Sequence, residues 1–198
     1  KINDMKKFLI IILFFNLSYF NVYSIEPDIF IQSTVDRASQ TLSKNISKQE
    51  KIDELKFIAK EAVDIRGIGF YSLGSTRKNL NDEQKKKYFN LFENYFLKSF
   101  SSRLAEYTNP KIQVQGKKVI NKNYTIVNSF LVSTSDRPEV KIDWRVYTKN
   151  TNNPLVRDLI IEGLSLARTQ KEEFASILNS NGGDIKALFK TLEDFAKN

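Results

Sequence analysis

Apolar residues recur every three or four positions as far as Tyr107 and at every second position from Ile112 to Val146. This change of period around Pro110 commits the chain to a run of helices followed by a sheet. Ile31, Val35, Ala38 and Leu42 mark a first helix from about Pro27 to Ser43, with Pro27 suited to its first turn. Ser47-Lys-Gln-Glu50 reads as a capping box that opens a second helix, whose buried stripe is Ile52, Leu55, Ile58, Ala59, Ala62 and Val63. Gly67 and Gly69, either side of Ile68, are expected to end or bend that helix. Phe70 to Gly74 then reads as a short apolar helical turn or loop.

A second capping box, Asn81-Asp-Glu-Gln84, opens the most informative helix, from Lys85 to Tyr107. Phe89, Phe92, Phe96 and Phe100 form one stripe, and Tyr88, Leu91 and Tyr95 widen it beyond the roughly 100° arc that a surface helix needs. Such a helix is either covered on more than one side as central core, or part of its aromatic surface lines a ligand cavity.

Past Pro110 four strands are expected: Ile112/Val114, Ile126/Asn128/Phe130/Val132, Val140/Ile142/Trp144/Val146 and Leu155 to Leu164. Gly116, Asp136-Arg-Pro138 and Asn150 to Pro154 mark the turns between them. In the third strand Lys141, Asp143, Arg145 and Tyr147 alternate outward, as in a sheet with one wet face. A helix from about Ser165 to Leu178 follows and stops near Gly182-Gly183. Asp184 then caps a last amphipathic helix carrying Ile185, Leu188, Phe189, Leu192 and Phe195. The pattern is α+β, with a four-stranded, mainly antiparallel sheet packed against helices. With 41% hydrophobic and 12% aromatic residues, the chain can fill one core.

The chain has no histidine and no cysteine. That excludes Ser-His-Asp and Cys-His nucleophiles, Cys/His zinc sites and disulfides. Among carboxylates, Asp143, Asp158 and Glu162 fall on predicted strands, and Asp158 and Glu162 would stand roughly 13 Å apart, too far to work as an acid/base pair on one bond. Ion pairing of these acids with Arg145 or Arg157 is the expectation. Gly67-Ile-Gly69 is too short for a dinucleotide loop and follows a helix rather than a strand. The formal charge is +8, but Lys85-Lys-Lys87 and Lys117-Lys118 lack interleaved aromatics, so no nucleic acid is expected as partner. No enzymatic activity is expected either.

Lys6 and Lys7 precede the apolar run Phe8 to Phe15, and no further charge appears until Glu26. Val22-Tyr23-Ser24 fits a signal-peptidase site, so residues 1–24 are expected to be a secretory signal peptide cleaved after Ser24. Met5 is the only methionine, which would place Lys1 to Asp4 upstream of the start. An uncleaved anchor is the alternative, disfavoured by a run short for a bilayer span. The mature protein is then exported, and a Gram-negative periplasm fits best.

Leu159-Ile-Ile-Glu162-Gly163-Leu-Ser165, preceded by Asp158 and followed by a helix containing Phe174-Ala-Ser-Ile-Leu178, resembles the strand ending of the MlaC (toluene-tolerance) family of periplasmic phospholipid-binding proteins. Ser72-Leu-Gly74, Asn81 to Gln84 and the aromatic helix to Tyr107 form a second match, and the resemblance covers about Ile31 to Phe195. Ser75-Thr-Arg77 and Val156-Arg157 stand where the family usually carries aromatic residues.

The resemblance implies a nuclear-transport-factor-like sheet joined to a helical subdomain, with an apolar cavity between them. Residues 25–198 would form one such domain: helices over about 27–107, the sheet over about 111–164 and closing helices over about 165–197. It implies a monomeric shuttle of diacyl phospholipid, held as cargo rather than cofactor. The partners would be an outer-membrane lipoprotein–porin complex and an inner-membrane MCE-domain ABC transporter, and the outcome maintenance of outer-membrane lipid asymmetry. The candidates for contact with the tails are Phe70, Leu73, Phe89, Phe92, Phe96, Phe100, Ile126, Phe130, Ile142, Trp144, Val146, Leu159 and Ile161. Arg77 or Lys78 would meet the head-group phosphate. The alternative is an exported interaction module or chaperone that binds partners through its basic surface; a carboxylate-dependent hydrolase is a more remote one.

Overall fold

The computed structural model describes residues 24–197. The expected signal peptide therefore lies, but for Ser24, outside the described residues. Helix α1 spans Pro27–Ser43, with proline in its first turn. Helix α2 spans Lys48–Ala62 behind a complete capping box, in which Ser47 Oγ accepts from the Glu50 amide and Glu50 Oε2 accepts from the Ser47 amide at 2.8 Å.

The glycines act differently from the expectation. Helix α2 ends before them, where Val63 turns extended and bridges Val156 of the sheet. Asp64 then restarts the helix by accepting from the Gly67 amide at 2.8 Å, and α3, Ile65–Ser72, contains both glycines. Close approach explains the second of them. A Cβ on Gly69 would stand 2.8 Å from the Phe92 ring, and the Gly69 carbonyl accepts from the Tyr88 hydroxyl at 3.0 Å. Gly69→Val is expected to cost about 2 kcal/mol through overpacking, read as a lowered urea midpoint at unchanged slope. A midpoint equal to wild type would contradict this contact.

A 3-10 turn at Thr76–Lys78 leads to α4, Asp82–Leu104, whose capping box is again reciprocal between Asn81 and Gln84. Strands β1 (Ile112–Asn121), β2 (Tyr124–Leu131), β3 (Val140–Tyr147), β4 (Leu155–Ile161) and β5 (Leu164–Ser165) form one antiparallel sheet in sequential order. The sheet thus has five strands, not four. The segment expected as one strand to Leu164 breaks where Glu162 and Gly163 adopt φ of 48° and 84°, a pair of left-handed residues that folds β5 back onto β4. Gly116 is not a turn: β1 continues through it, with a register shift between Val114 and Gly116, and the hairpin turns after Asn121. Helices α5 (Leu166–Ser180) and α6 (Ile185–Lys197) close the chain.

Two apolar cores result. Helix α1 lays Ile31 and Val35 on the sheet face formed by Val127, Leu131, Ile142, Trp144, Val146 and Val156. Helices α3 to α6 pack Tyr88, Phe92, Phe174, Leu188 and Leu192 into a second core. Val63 touches both. No helix among the described residues is long and apolar enough to cross a membrane.

Candidate functional site

The aromatic helix changes character along its length. Tyr88 and Phe92 are fully buried, stacked at 5.7 Å, and Phe174 of α5 meets both edge-on. Phe96 and Phe100 continue the same stripe, stay half-buried, and stack at 5.6 Å with planes 10° apart. Opposite them stand Trp144 of β3 and Leu159 of β4, which are cross-strand partners, with Leu166 at the start of α5. Together with Ile68, Phe92 and Tyr95 they enclose an apolar cavity of about 230 Å³ between α4, α5 and the sheet.

Its polar rim is Ser99, Arg103, Thr169, Gln170 and Glu173. The Tyr95 hydroxyl donates to Gln170 Oε1 at 2.9 Å, and burial pushes this phenol above its usual range, so it stays a neutral donor. Trp144 is held by its own donor: Nε1 reaches Ser129 Oγ at 2.9 Å, and that hydroxyl donates onward to the Ile142 carbonyl at 3.0 Å.

A second cavity, of about 760 Å³, lies on the far side of Asp158 and Ala167, which line both. Helix α3 contributes Phe70 and Tyr71, the 3-10 turn Arg77, and the sheet Tyr124, Ile126, Arg145 and Arg157. Asp158 in the shared wall is 3% exposed and accepts from Ser165 Oγ at 2.6 Å and the Ala167 amide at 3.0 Å. Arg145 Nη1 lies 3.7 Å from it. Arg157 pairs elsewhere, donating to Asp64 at 2.6 Å and to the Tyr124 hydroxyl at 2.7 Å. Glu162 caps the Lys141 amide from the β4–β5 turn. Asp143 accepts from Asn128 at 2.8 Å.

Of the residues singled out in the sequence, Phe92, Phe96, Phe100, Trp144 and Leu159 meet at the smaller cavity, and Phe70 and Ile126 line the larger. Leu73 sits in the helical core, Ile142 and Val146 in the sheet core. Phe89 packs on the Phe70 ring at 4.3 Å with the Arg66 guanidinium over it, outside both linings. Phe130 shares the Ile126 face of β2, opposite Trp144, because Val127 and Ser129 are the cross-strand partners of Trp144 and Ile142. Ile161 is half-buried at the end of β4, and neither it nor Phe130 lines either of these two cavities. Arg77 reaches the larger cavity and Lys78 does not. Sequence reasoning did not select Ile68, Tyr95 or Leu166, although Tyr95 belongs to the widened stripe and so carried a signal.

Much of the basic surface is paired. Lys117 bridges Glu26 and Asp28, Lys87 meets Glu193 at 3.0 Å, and Lys85 meets Asp82 at 3.4 Å. Among the described residues no group of three or more acidic side chains could hold a metal ion.

Residues 32–194 match the family model described as MlaC protein. The chain belongs to the MlaC family. Among MlaC proteins it is 25% identical over 166 residues to the intermembrane phospholipid transport system binding protein MlaC of Haemophilus influenzae, covering 80% of this chain and 77% of that one. Its fold matches a phospholipid-binding protein from Ralstonia solanacearum, solved in complex with a phospholipid, with a TM-score of 0.75 and 18% identity over 87% of this chain and 98% of that one. The MlaC resemblance drawn from Asp158, Glu162, Gly163, Ser165 and the aromatic helix is thereby borne out. So is the α+β architecture with its antiparallel sheet, apart from the strand count.

Proposed function

We propose that this MlaC-family chain is a phospholipid carrier that holds acyl tails between α4, α5 and the sheet. The observation that carries the reading is the apolar cavity walled by Phe96, Phe100, Trp144, Leu159 and Leu166. The phospholipid held by the Ralstonia solanacearum protein and the transport role in the name of the Haemophilus influenzae relative support it.

Two acyl tails offer about 30 methylenes, each worth roughly 0.8 kcal/mol when kept from water. A bilayer gives tails nearly the same environment, so transfer between membrane and carrier is close to balanced and needs no catalytic residue. At about 230 Å³ the cavity is below the usual range for small-ligand sites, so loading parts α4 from α5 and the sheet. The half-buried rings of Phe96 and Phe100 are the surfaces that separate.

In this reading residues 1–24 export the chain to a periplasm, where it works as a monomer without cofactor or enzymatic activity. It passes phospholipid between an outer-membrane lipoprotein–porin complex and an inner-membrane MCE-domain ABC transporter, and so maintains outer-membrane lipid asymmetry. Balanced transfer means that direction is supplied by the transporter's ATP. Mass spectrometry of organic extracts from the exported, purified protein tests the carrier reading. Diacyl phospholipid near one per chain is expected. Lipid-free protein that also takes up no added phospholipid would contradict it.

A further inference from the structure

One end of the sheet is built unlike the rest of it. Strand β2 alternates between buried and half-buried positions along its whole length, but residues 117–121, the end of β1, are all exposed. The register shift between Val119 and Asn121 leaves Ile120 without a cross-strand partner, so β1 overhangs its neighbour there. Val119 is 68% exposed, more than any other large apolar side chain among the described residues, and Ile120 beside it is 52% exposed. Two adjacent bare aliphatics at a hairpin tip gain nothing from the fold.

Lysines frame this pair. No acidic residue occurs between Glu106 and Asp136, and Lys118 and Lys122 stand on either side of Val119 and Ile120. Both are exposed and make no ion pair among the described residues. The β3–β4 loop adds a third: the Thr148 amide donates to the Asn123 carbonyl at 2.8 Å, which holds the exposed Lys149 beside the turn. Glu26 and Asp28, at the neighbouring start of α1, are both bridged by Lys117. Aliphatics ringed by unpaired lysines are complementary to the interface of an anionic bilayer, where the apolar groups leave water and the ammoniums meet the negative leaflet. Protein interfaces instead favour aromatic residues and arginine and are poor in lysine, and residues 117–123 hold neither of the favoured kinds.

We propose that the β1–β2 hairpin tip docks the protein on an anionic bilayer surface, with Val119 and Ile120 entering the interface and Lys118, Lys122 and Lys149 lying at the negative leaflet. This goes beyond the carrier reading and stands apart from it, because docking needs no lipid in the smaller cavity. It also gives the larger cavity an orientation. Ile120, Asn121 and Tyr71 line that cavity, and Ile120 and Tyr71 are 52% and 42% exposed, so it opens beside the tip and is turned to the leaflet once the tip is seated. Each lysine near an anionic leaflet strengthens association about fivefold, so three supply about a hundredfold, to which the apolar pair adds its own burial.

The exported protein is sedimented with vesicles of phosphatidylcholine alone, or of phosphatidylcholine and phosphatidylglycerol in equal parts. Binding is expected to be at least about tenfold tighter to the mixed vesicles and to weaken as salt is raised. K118E/K122E and V119S/I120S should each lose about tenfold or more on mixed vesicles, with circular dichroism unchanged because all four side chains are exposed. The chain has no cysteine, so a single introduced one can carry an environment-sensitive dye. Dye on V119C should brighten with mixed vesicles, and dye on N179C, near the end of α5, should not.

Equal binding to both vesicle types, no binding to either, or binding that survives both double variants would overturn the proposal and leave the carrier reading in place. Brightening at position 179 without brightening at 119 would put the membrane contact on another face and also overturn it. Self-association or protein binding that depends on the tip, without vesicle binding that does, would make the tip a protein interface and overturn it too. Tip-dependent docking by a protein that neither holds nor takes up phospholipid would sustain the proposal and overturn the carrier reading alone.

Discussion

Replacing Phe96 with aspartate is expected to abolish phospholipid binding and leave the fold standing. Phe96 is half-buried on the cavity side of α4, one turn beyond Phe92, at the edge of the helical core, and its ring stacks on Phe100. An aspartate there can turn its carboxylate toward solvent while the cavity is empty. Once tails enter, the charge would have to be buried without a partner, at a cost of several kcal/mol. Since 1.4 kcal/mol is about tenfold in affinity, the loss should exceed about a hundredfold. Lipid should disappear from organic extracts while circular dichroism stays near wild type. Retained lipid at wild-type stoichiometry would remove Phe96 from the binding wall.

Trp144→Asp borders the same cavity and is expected to do something else: to unfold the protein. Trp144 is 7% exposed, packs among Val127, Ile142 and Val156 in the sheet core, and anchors Ser129 through its indole donor. The substitution removes the largest ring of that core, leaves the Ser129 hydroxyl without its donor and buries a carboxylate. Large-to-small aromatic changes alone cost about 3–5 kcal/mol, and a buried unpaired charge adds to that. Against a typical total of about 5–15 kcal/mol, little stability is left. Urea unfolding should show no cooperative native baseline at 37 °C. A cooperative transition near that of wild type would mean that the sheet core does not depend on this residue.

The contrast between these two neighbours explains what the sequence could convey. Helix-opening signals were legible. The first helix has the limits its periodicity indicates, and both capping boxes, at Ser47 and Asn81, form reciprocally. Each depends on residues within one turn of each other. Signals that depend on distant partners were not legible. The restart of helix at Asp64 is secured by Arg157, 93 positions away, and Gly69 is shaped by Phe92 on another helix. The β4–β5 break rests on the left-handed backbone of Glu162, a residue that rarely adopts it.

The candidate site divides in the same way. Phe89, Phe92, Phe96 and Phe100 are indistinguishable by spacing, yet the approach of α3 takes Phe89 out of the cavity wall. In β2 both faces carry large apolar groups, Ile126 and Phe130 on one and Val127 and Leu131 on the other, so alternation alone could not say which faced α1. Thr125 and Ser129 are polar yet lie on the buried core face beside Val127, where Ser129 accepts from the Trp144 indole, a partner on the next strand. The larger cavity is built from seven separate segments and leaves no local trace.

The central claim, that phospholipid tails lie between α4 and the sheet, is tested most directly by fluorescence of the one tryptophan. Phospholipid brominated near the ends of its tails should quench Trp144 emission and saturate at one lipid per chain, with unbrominated lipid of the same head group having no such effect. Full uptake of the brominated lipid with emission unchanged would place the tails elsewhere and contradict the account.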